Sequence, residues 1–237
     1  KNVAGYDICK LLVGSRGTLA IVTQVTLKLR PLAESTALLW VPYRDFDSIE
    51  RTLGRLLHSE ARPVAVEVLN ATAAGTIGAP IRLPSNPSAS VLCIGVEGSA
   101  SEVDWQIDAL RREIAEIGAA ETERIDGSNA ARLWDALTEF PVCSDDPLAF
   151  QANLLPSKCI EFVERATRLG VAVQAHAGNG VVIGQLPDEA ATLERAKSIV
   201  DELGKLARTS HGNLGILHCD PEWQSRLPMC GETTPLW

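Results

Sequence analysis

An α+β fold, with an antiparallel sheet and helices packed on one face, is predicted for most of this 237-residue chain. Two observations carry that prediction. From residue 36 onward, β-rich apolar runs alternate with helical patterns, as expected when helices are laid on a sheet. Near the middle of that region VAVQAHA (171–177) and VVIGQL (181–186) meet across Gly178, Asn179 and Gly180, a hairpin that a wholly parallel, doubly wound sheet does not use.

The elements follow in order. A Gly/Asn/Asp loop leads to a turn at Gly14 to Gly17, and then to a strand in which Ile21, Thr23, Val25, Leu27 and Leu29 alternate with Val22, Gln24, Thr26 and Lys28 until Arg30 and Pro31 end it. Further strands are predicted at 36–41, 64–69, 90–96, 148–154, 171–177, 181–186 and 214–219. A helix places Phe46, Ile49, Leu53, Leu56 and Leu57 on one face, and a second does the same with Val103, Ile107, Leu110, Ile114 and Ile117, started by Ser101 with Asp104 as a capping pair. Residues 75–88 read as loop, and a short helix over 132–137 is anchored by Trp134. A third long helix runs from Ser157 to Leu169 and stops at Gly170. The last, Asp188 to Arg208, has acids in its first turn and bases in its last, matching the helix dipole. There is no internal sequence repeat.

Composition narrows the function. The net charge is −8, and the 22 Lys and Arg are dispersed rather than gathered in a stripe. That excludes a nucleic-acid binder, which needs clustered cations to displace phosphate counterions. No apolar run approaches the ~18 residues of a membrane span, and no secretory signal stands at the start. Six cysteines show neither CxxC nor zinc-type spacing, which predicts reduced thiols and a cytoplasmic location. The chain starts at Lys1 in a loop, and its one Met is Met229, so it is expected to be part of something longer.

The opening segment carries the sharpest signal. Gly14-Ser15-Arg16-Gly17-Thr18 fits neither a Walker loop nor GxGxxG, but Gly and Thr at a turn before a strand let backbone N–H groups approach a ligand closely. KNVAGYD followed by LLVGSRGTLAIVTQVTLKLRP resembles the end of the flavin-binding domain of the FAD-linked oxidases, the family of vanillyl-alcohol oxidase and p-cresol methylhydroxylase. Within it the pattern is most similar to the smaller flavin-binding subunit of bacterial glycolate oxidase. The resemblance is specific over residues 1–31 and diffuse beyond. It implies a remnant of the FAD-binding domain at 1–31, and a ferredoxin-like cap, truncated at its C-terminus, at 32–237.

By that resemblance the cofactor is FAD, held here by Asn2, Tyr6, Asp7, Gly14, Arg16, Gly17, Thr18, Leu19, Ala20, Ile21 and Val22; Ala20 stands where the family usually has Gly. HAGNG (176–180) resembles an HxGDGN segment and SHG (210–212) an EHG segment, making His176 and His211 the candidate catalytic residues. Asn179 and Ser210 replace carboxylates that a hard divalent ion would want, so no metal is assigned. The two imidazoles are expected on neighbouring strand ends, facing one cleft.

The implied function is an FAD-dependent subunit that oxidises a small 2-hydroxy acid such as glycolate. Its expected partners are other oxidase subunits, including an iron–sulfur subunit, through which the protein could associate with a membrane. Two alternatives stay open: a flavin-binding subunit serving assembly without catalysis, and a stand-alone ferredoxin-like ligand-binding module.

Overall fold

The computed structural model describes residues 8–15, 17–83, 86, 88–118, 121–142, 146–187 and 191–231. It divides into two compact units, Lys1–Leu32 and Ala33–Trp237.

In the first unit a short helix, α1 (Ile8–Leu12), precedes the turn. The Thr18 N–H and its hydroxyl both donate to the Ser15 carbonyl, at 3.0 and 2.6 Å. The strand expected over 21–29 is absent: these residues join no sheet among the described residues. Alternation creates a strand only where a neighbour completes the ladder. Here both sets of side chains stay exposed, with Ile21 at 90% and Leu29 at 85%.

The second unit is built on eight strands: β1 (Ser35–Tyr43), β2 (Ala65–Leu69), β3 (Ser90–Gly98), β4 (Glu123–Asp126), β5 (Leu148–Asn153), β6 (Ala172–His176), β7 (Val181–Leu186) and β8 (Asn213–Cys219). They form one sheet in the order β4-β1-β3-β2-β6-β7-β5-β8, and every neighbouring pair is antiparallel. That order contains a repeat the sequence does not display. β1 to β4 with the helices α2 (Phe46–Leu56) and α4 (Ala100–Ile117) make a βαββαβ unit with strand order 4-1-3-2, the ferredoxin-like arrangement. β5 to β8 with α6 (Cys159–Arg168) and α7 (Leu193–Thr209) make a second, in mirrored order. The halves join edge to edge through β2 and β6, where only three residue pairs stand opposite each other.

Helices α2, α4, α6 and α7 cover one face as the periodicity predicts, with Ile49, Ile107, Leu110, Phe162, Val163, Ile199 and Leu203 packed on Leu39, Ile94 and Phe150 of the sheet. Phe150 meets Phe162 edge to face at 6.5 Å, a pair worth about 0.5–1.5 kcal/mol beyond its buried area. The opposite face carries a smaller layer not foreseen in the sequence. There α3 (Ala71–Gly78) and α5 (Gly127–Glu139) pack Ile77 and Leu133, with Phe140 just beyond α5, on Leu38, Trp40 and Val91. α3 begins before the predicted 75–88 loop and runs into it; its Ala/Thr/Gly sequence has no polar face to show periodicity, and Asn70 caps it. α5 extends the short helix expected at 132–137 in both directions.

Helix α4 starts on a full capping box, but one made by Ser99 and Glu102 rather than Ser101 and Asp104. The Ser99 hydroxyl and backbone both meet Glu102 Oε2 at 2.8 Å, which holds that carboxyl below its ordinary range. Ser99→Ala is expected to lower stability by about 1 kcal/mol in chemical denaturation, with an unchanged dependence on denaturant. α7 is capped by Thr192, with Asp188 and Glu189 of the predicted first turn outside the described residues.

Candidate functional site

The register places one residue from every strand in a single transverse row: Glu123, Trp40, Cys93, Glu67, His176, Val181, Asn153 and Asn213. Residues directly opposite in an antiparallel pair project to the same face. The row therefore lies on the face away from the four long helices, and Trp40 and Cys93 indeed belong to the core under α3 and α5. From Trp40 onward exposure grows along it. Trp40, Cys93 and Glu67 are buried, His176 is 32% exposed at its side chain, and Asn153 and Asn213 are open to solvent.

His176 and Glu67 stand at the boundary. The imidazole Nδ1 lies 2.8 Å from Glu67 Oε1 and 2.7 Å from Oε2. Gln174 Nε2 donates to Oε2 at 3.1 Å. The hydrogen bond to Glu67 raises the His176 pKa above its ordinary value, against the opposing pull of burial. Next along the row, burial and the Glu67 charge push the Cys93 thiol far up, so it stays protonated and inert. Beyond His176 and Val181 the row ends in amides: Gln151 Nε2 donates to Asn153 Oδ1 at 2.9 Å, and Asn153 Nδ2 to Asn213 Oδ1 at 2.8 Å.

The hairpin that presents His176 is tightly built. The His176 carbonyl accepts from the N–H groups of Asn179 and Gly180, both at 3.1 Å, and Asn179 Oδ1 accepts from Val181 N at 3.1 Å. Asn179 thus closes the turn through its side-chain oxygen. Gly180 (φ +81°) brings its backbone against Leu154, where a Cβ would overlap the Leu154 carbonyl oxygen.

His211 is not brought to His176. Both lie at the same end of the sheet, but β7 and β5 stand between β6 and β8, three strand spacings or about 14 Å. The neighbouring-strand expectation is corrected by this order. His211 is exposed, adopts φ +56°, and donates its N–H to Arg208 O in the turn that ends α7. Buried Ser210 belongs to the same turn. His218 bonds through Nε2 to the Asp146 carbonyl at 2.8 Å. Among the described residues no three His, Cys, Asp or Glu side chains converge as a metal site would require.

Of the residues expected to hold FAD, Asn2, Tyr6, Asp7 and Arg16 lie outside the described residues. Gly14 and Gly17 have φ of +81° and +75°, and a Cβ at either would meet nothing within 4 Å. Thr18 fixes the turn, while Leu19, Ala20, Ile21 and Val22 are exposed. An open loop with accessible backbone followed by exposed apolar side chains fits the edge of a large flat heteroaromatic ligand.

Sequence reasoning missed Glu67. The signal available was one acid inside the apolar run VAVEVL, a residue type almost never fully buried unless paired.

Residues 32–218 match the family described as FAD linked oxidases, C-terminal domain. An uncharacterized FAD-linked oxidoreductase of Mycobacterium tuberculosis is 28% identical over 144 residues, 57% of this chain and 31% of that protein. The glycolate oxidase subunit GlcD of Bacillus subtilis is 34% identical over 112 residues, 46% of this chain and 24% of that one. Among solved structures, p-cresol methylhydroxylase with substrate bound superposes with a TM-score of 0.54 at 15% identity, over 84% of this chain and 48% of that one. The chain thus spans about a third or less of the curated relatives it matches.

Proposed function

Because the chain belongs to the FAD-linked oxidases, through their C-terminal domain, we propose that it is part of an FAD-dependent oxidoreductase that oxidises a small 2-hydroxy acid and passes the electrons to a partner subunit or acceptor. In this reading residues 1–31 end the flavin-binding domain and 32–237 form the cap. The names of similar proteins support the substrate class: glycolate oxidase subunit, and D-lactate dehydrogenase in Anaerostipes hadrus. An iron–sulfur partner belongs to the same proposal. Among the described residues no helix is long and apolar enough to cross a membrane.

The observation that carries the reading is His176, a half-buried imidazole whose Nδ1 is engaged by Glu67 and whose Nε2 has no hydrogen-bond partner among the described residues. When bound, FAD supplies the acceptor for the hydride leaving C2 of the acid. The residues of this chain have separate roles. In the first unit Gly14, Gly17 and Thr18 would offer backbone to the cofactor, with Leu19, Ala20, Ile21 and Val22 as the apolar residues of that segment; in the second unit His176 Nε2 would take the hydroxyl proton as the C–O bond gains double-bond character. Strands β2 and β5 to β8 contain no Lys or Arg, and in this reading the amide at the end of the row, Asn213 Nδ2, donates to a substrate oxygen atom.

Anaerobic mixing of the FAD-loaded full-length protein with glycolate and with D-lactate tests the reading: loss of oxidised-flavin absorbance is expected with at least one. Asn213→Ala is expected to raise KM roughly tenfold with kcat little changed, the loss of one hydrogen bond. Flavin that no 2-hydroxy acid reduces would overturn the proposal in favour of a non-catalytic flavin-binding subunit. The structural duties of Asn179 and Ser210, where similar segments have carboxylates, are the observation on that side.

A further inference from the structure

We propose that Glu67 is the positioning residue of this site: it fixes the Nδ1–H tautomer of His176, so that Nε2 is the atom that exchanges a proton. The inference deepens the functional reading above and rests on it for the identity of the proton donor, though the geometry stands by itself.

A carboxylate only accepts hydrogen bonds, so with both Glu67 oxygens within 2.8 Å of Nδ1 the ring proton sits on Nδ1 and the Nε2 lone pair is free. Gln174 adds a second donor to Glu67: its Nε2 is directed at Glu67 Oε2, while its own Oε1 is buried and unpartnered. A buried carboxylate needs such partners to exist at all. Glu67 lies in the first ferredoxin-like half and His176 in the second, so the β2–β6 seam itself holds the pair in register.

Among the described residues of the neighbouring strands, Cys93 on β3 is the titratable group opposite Glu67, and burial keeps it protonated. Helix α3, which packs against β6, contains no ionisable residue, and neither do β5 and β7; α6, with Glu161, Glu164, Arg165 and Arg168, packs on the other face of β6. The position of His176 at the edge of the α3/α5 layer, buried toward Glu67 and open on the other side, is that of a base held by a hidden anion.

Ring-nitrogen NMR of the full chain tests this without flavin or substrate. The expected result is an Nδ1–H tautomer for His176 in the wild type. In Glu67→Gln, which keeps the shape, the titration midpoint should drop by about one pH unit or more, roughly tenfold in proton affinity. A wild-type His176 found as the Nε2–H tautomer would overturn the proposal even if the variant failed to fold, and so would an unchanged midpoint in a folded variant. In the FAD-loaded protein the acidic limb of the pH–rate profile should move down by the same amount. Correct NMR behaviour in a protein that oxidises no 2-hydroxy acid would sink the functional reading and leave the positioning role intact.

Discussion

Asn70→Ala is expected to destabilise the second unit by about 3 kcal/mol or more. Asn70 is 1% exposed at the end of β2 and works in two directions at once. Its Oδ1 accepts from Ala73 N at 3.1 Å, starting α3, and from Val173 N at 3.0 Å. Its Nδ2 donates to the Val171 carbonyl at 2.7 Å and to Thr167 Oγ1 at 3.1 Å, both in the other half. Alanine would leave two N–H groups and a carbonyl without partners, each costing about 1–3 kcal/mol where water cannot reach. Because the seam has only three residue pairs of strand contact, the unfolding transition should also broaden as the halves lose cooperativity. Urea denaturation followed by far-UV circular dichroism reads both quantities. A loss below about 1 kcal/mol would mean that Asn70 is not what holds the seam.

The contrast between Asn70 and the long helices shows what a linear sequence displays. Helices α2 and α4 were legible because Ile49 and Leu53, or Ile107, Leu110 and Ile114, repeat at the helical period against a polar background. Helix α3 was not, since ATAAGTIG has no polar side to create contrast, and β4 was hidden because ERID carries three charges in four residues. Residues 21–29 show the converse failure, a strong alternation that stays unpaired.

The site divides along the same line. His176 was visible through the HAGNG segment, a local pattern. Glu67 is 109 positions away, and only the edge-to-edge joining of the two halves puts it opposite His176. His211 was misplaced for a related reason: following α7 back to the sheet correctly predicts the end at which β8 starts, but not that β5 and β7 intervene. Order along a sheet is a property of the closed topology, and nearness in sequence does not encode it.

His176→Gln should slow substrate-dependent flavin reduction by about 10²–10⁴-fold, the range lost when a positioned general base is removed. Flavin content should stay unchanged, because the residues assigned to FAD lie in the first unit. The same variant has a second signature in stability. The His176 pKa is raised in the folded state by the hydrogen bond to Glu67, so the protonated ring contributes stability that is fully present below about pH 6.5 and is lost as pH rises through the raised value. The wild type should therefore lose stability as pH rises from about 6.5 through the raised His176 value, by an increment that His176→Gln removes, since glutamine can donate to Glu67 but does not titrate. A variant that reduces its flavin at the wild-type rate would remove His176 from the chemistry. A variant with the wild-type pH dependence of stability would remove the ionised pair as its cause.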